Sequence, residues 1–161
     1  MQGMAAVPHP QHNSNHPLTQ LLECPPETSQ VLGESARSLQ FDEGECVFRQ
    51  DETCAGLYLL VSGSYARRAD RMGMHMLLST GAPGELVELA AALGDKHHTY
   101  TLVAKTTGSA LLLPLVALEN AFRQYPPLRM HLLEELAREV SRAYGAVWLL
   151  RMSKLRRARA V

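Results

Sequence analysis

The fold is decided by Phe41-Asp42-Glu43-Gly44-Glu45-Cys46-Val47-Phe48-Arg49-Gln50-Asp51 and by Gly56-Leu57-Tyr58-Leu59-Leu60-Val61-Ser62-Gly63 soon after it. Asp42-Glu43-Gly44 is a turn signature, because an aspartate bonds its own backbone and glycine takes φ values closed to other residues. Cys46-Val47-Phe48 is a short β-prone run. Leu57 to Val61 is an unbroken apolar run between two glycines, the length and punctuation of a buried strand. Outward from this stretch, Ser38–Phe41 alternates, and Arg67 to Arg71 reads as a charged hairpin tip with Gly73 nearby. Met74 to Leu78 follows as a strand. Tyr100 to Val103 and Ala110 to Leu113, separated by the turn Thr106-Thr107-Gly108, close the set. Many short strands with frequent turns predict a barrel or sandwich.

The flanks are helical. Leu18 to Leu32 suits two short helices broken at Pro25-Pro26, with Pro26 as a first-turn residue of the second. Beyond Pro114 the apolar period becomes helical, with one short helix over Leu115–Phe122. Tyr125-Pro126-Pro127 stops that helix and starts another. In the last helix, Leu133, Leu136, Val140, Ala143, Val147 and Leu150 step by three and four, a heptad seam. Leu132, Tyr144 and Trp148 widen this face. The spacing predicts a helix that packs on its own domain and also pairs with a second copy, giving a homodimer. The chain divides into a disordered polar arm (1–17), one domain (18–150) and a basic tail (151–161). His9, His12 and His16 in the arm have no Cys or carboxylate to fix a metal geometry, and no metal site is expected.

Composition limits the function. The chain has 161 residues, 46% of them hydrophobic and 20% charged, as expected of one globular domain. Sixteen basic and sixteen acidic residues cancel, which disfavours nucleic-acid binding through a broad basic face. No apolar run approaches the ~20 residues of a membrane helix, and no signal peptide is evident. A cytoplasmic protein without a membrane role is expected. Cys24, Cys46 and Cys54 are odd in number and contain no CxxC, so they read as reduced thiols. No G-x-S-x-G, P-loop, H-E-x-x-H or G-x-G-x-x-G is present, and no enzyme is expected.

From about Leu32 to Leu150, the order of helix, antiparallel barrel, short helix and long seam helix resembles the cyclic-nucleotide-binding sensor domain of the CRP/FNR regulators. The two opening stretches are similar to that family's first strands. The resemblance implies an α+β fold: an antiparallel β-barrel or jelly roll with short N-terminal helices and a long C-terminal dimerisation helix. It also implies a phosphate-binding cassette at Gly84-Glu85-Leu86, running through Leu93 to Thr99. In this cassette backbone N–H groups hold the cyclic phosphate and Glu85 takes the ribose hydroxyl. The family's binders place an Arg and a small residue before the next strand. Here His98-Thr99 stand there, and histidine is a weaker, pH-dependent anion partner. The loop Gly81-Ala82-Pro83-Gly84 is one residue short. The candidate ligand residues are therefore Gly84, Glu85, Leu86, His98 and Thr99.

The function implied is a ligand-sensing module of bacterial transcription regulation, with a small-molecule effector and a degenerate nucleotide pocket. The alternative is a haem or redox sensor on the same fold, with His75, His97, His98 and several Met as iron ligands or Cys46 and Cys54 as oxidant targets. The four-Cys pattern of the iron–sulfur FNR type is absent. Eleven residues follow Leu150, including Arg151, Lys154, Arg156, Arg157 and Arg159. A DNA-reading domain needs at least ~50, so no specific DNA binding by this chain alone is expected.

Overall fold

The computed structural model describes residues 17–158, with side-chain environments from 18 to 143. The polar arm with His9, His12 and His16 lies outside the described residues, as do the side chains of Val147, Leu150 and the basic tail. Two short helices, α1 (Pro17–Leu22) and α2 (Pro26–Ser35), precede eight strands. The strands are β1 (Arg37–Phe41), β2 (Cys46–Phe48), β3 (Gly56–Ser62), β4 (Tyr65–Arg71), β5 (Met74–Gly81), β6 (Leu86–Val87), β7 (Thr101–Ala104) and β8 (Gly108–Pro114). A short helix, α3 (Leu89–Leu93), lies between β6 and β7. Two more, α4 (Leu115–Gln124) and α5 (Pro127–Ala158), close the chain.

The strands form two antiparallel four-stranded sheets, ordered β1-β8-β3-β6 and β2-β7-β4-β5. The arrangement is the expected α+β jelly roll, with two facing sheets that do not close into a barrel. β3 explains its own apolar run. Leu57 and Leu59 face the helices, packing with Leu18, Leu22, Leu32, Leu118 and Leu132. Tyr58 and Leu60 face the other sheet, packing with Phe48, Tyr65, Leu102 and Leu112. A strand buried on both faces has no polar side to alternate.

One strand departs from the sequence-based reading. Arg67 to Arg71 is not a hairpin tip but most of β4, paired with β5 on one side and β7 on the other. The tip lies at Met72-Gly73, both with positive φ. Charges at four of these five positions conceal a strand, and two of them find partners elsewhere in the fold. Arg67 reaches Glu85, and Asp70 accepts from the Thr101 hydroxyl at 2.6 Å.

α5 changes environment along its length. Leu128 and Leu132 are fully buried in the helical core, and Leu133 and Leu136 are partly covered. Val140 and Ala143 are exposed.

Candidate functional site

The site is built where β6 hands the chain to α3. The residue at that junction is Glu88, with φ 71° and ψ 33°. A left-handed conformation costs a side-chain-bearing residue about 1–2 kcal/mol, so other contacts hold it. Glu88 is only 3% exposed. Its Oε2 meets His98 Nδ1 at 2.7 Å and accepts from the Thr99 backbone N–H at 3.1 Å. Its Oε1 accepts from the Thr99 hydroxyl at 2.9 Å. A carboxylate only accepts, so Nδ1 of His98 carries the proton.

The opposite side of the clamp is equally fixed. The His98 ring lies flat on Phe48, with centroids 4.0 Å apart and planes 5° apart. Phe48 in turn tilts against Tyr58 and Tyr100. The loop carrying His98 is tied to residues 51–54 by Asp51 N–H to His98 O, His98 N–H to Glu52 O and Cys54 N–H to Lys96 O. The Lys96 ammonium donates to the Ala92 carbonyl at the end of α3.

A second charged group lies on β4. The Arg67 side chain is 11% exposed and pairs with Glu85 Oε2 at 2.7 Å. It also donates to the Thr80 carbonyl, and it lies over the Tyr100 ring at 5.8 Å. Burial alone would ease its proton off, but the bonds to Glu85 and Tyr100 prevail and raise its pKa. Burial, reinforced by the Glu88 charge, pushes the Tyr100 phenol up to about 12, against the pull of Arg67.

Two cavities flank these groups. The larger, about 530 Å³, lies between α1, β4, the β5–β6 loop and α5, and Arg67, Glu85, His131 and Glu139 are among its lining. The smaller, about 210 Å³, lies between the β6–α3 junction and α5, with Glu88, Thr99, Tyr100, Glu139 and Val140 in its wall. Glu139 lines both.

The structure distributes the sequence-predicted residues between these places. His98 and Thr99 meet at Glu88. Gly84, in a turn with φ 89°, donates its N–H to Leu60 O, and Leu86 pairs with Leu59. Gly84, Glu85 and Leu86 line the larger cavity, and the Glu85 carboxylate faces Arg67. Sequence reasoning missed Glu88, Arg67, Tyr100 and Glu139. A signal for Glu88 was present, because Glu-Leu occurs twice in Glu85-Leu86-Val87-Glu88-Leu89, the second time directly before Ala90-Ala91-Ala92.

The groups named for haem or redox chemistry are dispersed. His75 pairs with Asp70 at 2.7 Å on exposed β5, and His97 is exposed with its Nδ1 3.0 Å from the Asp95 carbonyl oxygen. Cys46 and Cys54 each donate to a nearby carbonyl, and burial raises both thiol pKa values. Among the described residues no group of three His, Cys, Asp or Glu is placed to hold a metal ion.

The profile of the cyclic nucleotide-binding domain matches residues 38–125. No curated protein matches the sequence. Among solved structures, the chain is similar to the sensor domain of the transcriptional regulator DNR from Pseudomonas aeruginosa. The TM-score is 0.64 and the identity 22%, over 75% of this chain and 91% of that one. The Thermus thermophilus catabolite activator protein gives a TM-score of 0.70 and 24% identity, over 84% of this chain and 63% of that one. The N-terminal domain of a transcriptional regulator from Streptomyces coelicolor gives 0.61 and 23%, over 83% and 93%.

Proposed function

The chain belongs to the cyclic nucleotide-binding domain family, and from that membership we propose that it is a ligand-sensing, non-enzymatic regulatory module whose nucleotide pocket is degenerate. The observation that carries this reading is the Glu88 clamp. In the family pattern an Arg stands where His98 stands and pairs with the cyclic phosphate. Here the residue at that position turns Nδ1 to an internal carboxylate and stacks on Phe48. The Thr99 hydroxyl and N–H are committed to the same carboxylate. A phosphate brought to these donors meets Glu88 instead of a guanidinium. Two like charges ~4 Å apart repel by about 4 kcal/mol at the effective dielectric of a protein surface. Arg67, the nearby buried cation, is neutralised by Glu85.

Calorimetric titration with cAMP and cGMP at pH 7.5 tests this. Binding is expected at millimolar concentration or not at all, and a micromolar dissociation constant would overturn the degenerate-pocket reading.

The reading includes a homodimer formed through α5. At 1.5 Å per residue the 32 residues of this helix span about 48 Å. Its first turns enter the core, whereas Val140 is 59% exposed in the isolated chain. A second α5 would cover that stripe. The chain is expected to sediment at about twice 17.8 kDa. Val140→Asp would place an unpaired charge in the pairing face, at a cost of several kcal/mol, and should yield monomers. A variant that sediments like the wild type would show that the stripe faces its own domain.

A bacterial cytoplasmic setting is part of the proposal, supported by three free cysteines. Among the described residues no helix is long and apolar enough to cross a membrane.

A further inference from the structure

We propose that the tip of the β4–β5 hairpin binds a soft monovalent cation, Cu(I), through the thioethers of Met72, Met74 and Met76. This site lies away from both cavities and is independent of the nucleotide pocket. Three of the chain's seven methionines fall within these five positions. Met72 is fully exposed, Met74 is 72% exposed and Met76 61%. A buried methionine is accounted for by the core gap it fills; these three fill none. β5 is moreover the edge of its sheet, where an exposed apolar strand invites pairing with other chains. Leucine would supply the same apolar surface. What methionine adds is sulfur, and thioether sulfur is a ligand that selects Cu(I).

The backbone gathers the three sulfurs. Met74 and Met76 are two residues apart on one strand and so share a face, their Cα atoms about 6.5–7 Å apart. Met72 stands in the turn, where it and Gly73 take φ values of 49° and 74°. Three rotatable bonds let each unbranched side chain lean toward a shared ion. On β4, Ala69 lies opposite Met76 and Arg71 opposite Met74, and directly opposed residues share a face. The small Ala69 leaves room beside the sulfurs, and Arg71 adds a positive charge.

That charge pattern selects the ion. The hairpin's one carboxylate, Asp70, belongs to the reverse face, where it accepts from the Thr101 hydroxyl at 2.6 Å and lies 2.7 Å from His75 Nδ1. A hard dication needs oxygen ligands and finds none beside the sulfurs. A soft ion bonded by polarisable sulfur does not need them. Asp70 also holds His75 on the reverse face, so the ligand set is sulfur alone.

The test follows isotope-labelled methionine methyl groups by NMR on the full chain. Cu(I) is titrated anaerobically, and Ag(I) in chloride-free buffer. The resonances of Met72, Met74 and Met76, assigned from single Met→Leu variants, are expected to shift together and saturate at one ion, while that of Met130 stays. Met72→Leu, Met74→Leu and Met76→Leu combined keep the apolar surface and the melting temperature and remove only the sulfurs. Against a bicinchoninate competitor this variant is expected to take up one equivalent of Cu(I) less than wild type, any ion held by the cysteines being common to both. Met74→Leu alone should weaken the site by at least the ~10–100-fold that loss of an outer-shell partner costs. Equal uptake by wild type and the triple variant would overturn the proposal and leave the methionines as apolar surface only. So would a shift confined to one of the three methyl groups, or the same shifts with Zn(II). Loss of the shifts in His75→Ala would overturn the all-sulfur ligand set.

Discussion

Glu88→Ala should destabilise the domain by about 3–5 kcal/mol, the usual cost of removing one partner from a buried charged network. Three donors converge on this carboxylate: the His98 imidazole, the Thr99 N–H and the Thr99 hydroxyl. Alanine leaves the buried His98 imidazole without its partner and breaks both part-buried Thr99 bonds, and the left-handed backbone at position 88 loses what restrains it. At ~2–4 °C per kcal/mol for a domain of this size, the melting temperature should fall by about 6–20 °C. The asymmetry of buried polar groups supplies a control. Replacing the partners together with apolar groups of similar shape is far cheaper than removing one. Glu88→Leu combined with His98→Phe keeps a ring on Phe48 and should melt above the single Ala variant. Urea unfolding that finds the Ala variant within 1 kcal/mol of wild type would show that the clamp carries little stability.

Gly56→Ala should be as severe for a different reason. A Cβ at position 56 would lie 2.0 Å from the Leu113 carbonyl oxygen and 2.8 Å from its carbon. These are backbone atoms of β8, paired with β3 in the middle of the first sheet, so no rotamer relieves the clash. The strands must separate locally or lose register. The cost should reach or exceed the ~3 kcal/mol at the upper end of ordinary overpacking, a fall of roughly 6–12 °C in melting temperature. Gly73→Ala is the comparison. Nothing lies within 4 Å of its Cβ position, and only its positive φ of 74° opposes the change. Equal melting of the two variants would count against the close approach at Gly56.

The physical basis of legibility differs along the chain. β3 and β8 were readable because burial on both faces forces an unbroken apolar run, which glycine or proline then ends. α5 was readable from its period, while its extent was not: helical backbone continues to Ala158, past the end of the heptad seam and through the cations Arg151, Lys154, Arg156 and Arg157. β4 was hidden by Arg67, Arg68 and Asp70: the fold brings Glu85 to Arg67, and Gln50 and Thr101 to Asp70, while Arg68 pairs with Asp70 in the same strand. Of the residues read from the sequence as a candidate cassette, His98 and Thr99 come together at Glu88. Glu88 itself escaped because it is held by contacts ten and eleven residues away and by a backbone conformation that local propensity disfavours.

The position of β8 bears on how the molecule comes to be folded at all. β8 pairs with β1 through Arg37 and Leu112, and with β3 through Leu57 and Leu113. β7 likewise receives β2 from the far side of the chain, Cys46 against Val103. Apart from the local β4–β5 hairpin, the early strands β1, β2 and β3 therefore wait for partners made late, a topology of high contact order and correspondingly slow folding, in milliseconds to seconds rather than microseconds. A nascent chain stopped before Gly108 has no centre for its first sheet, and Leu57 to Leu60 stay exposed until Pro114 clears the ribosome. During synthesis the run that specifies the fold is thus also its most adhesive segment, and the domain should respond to chaperone supply more than its modest size suggests.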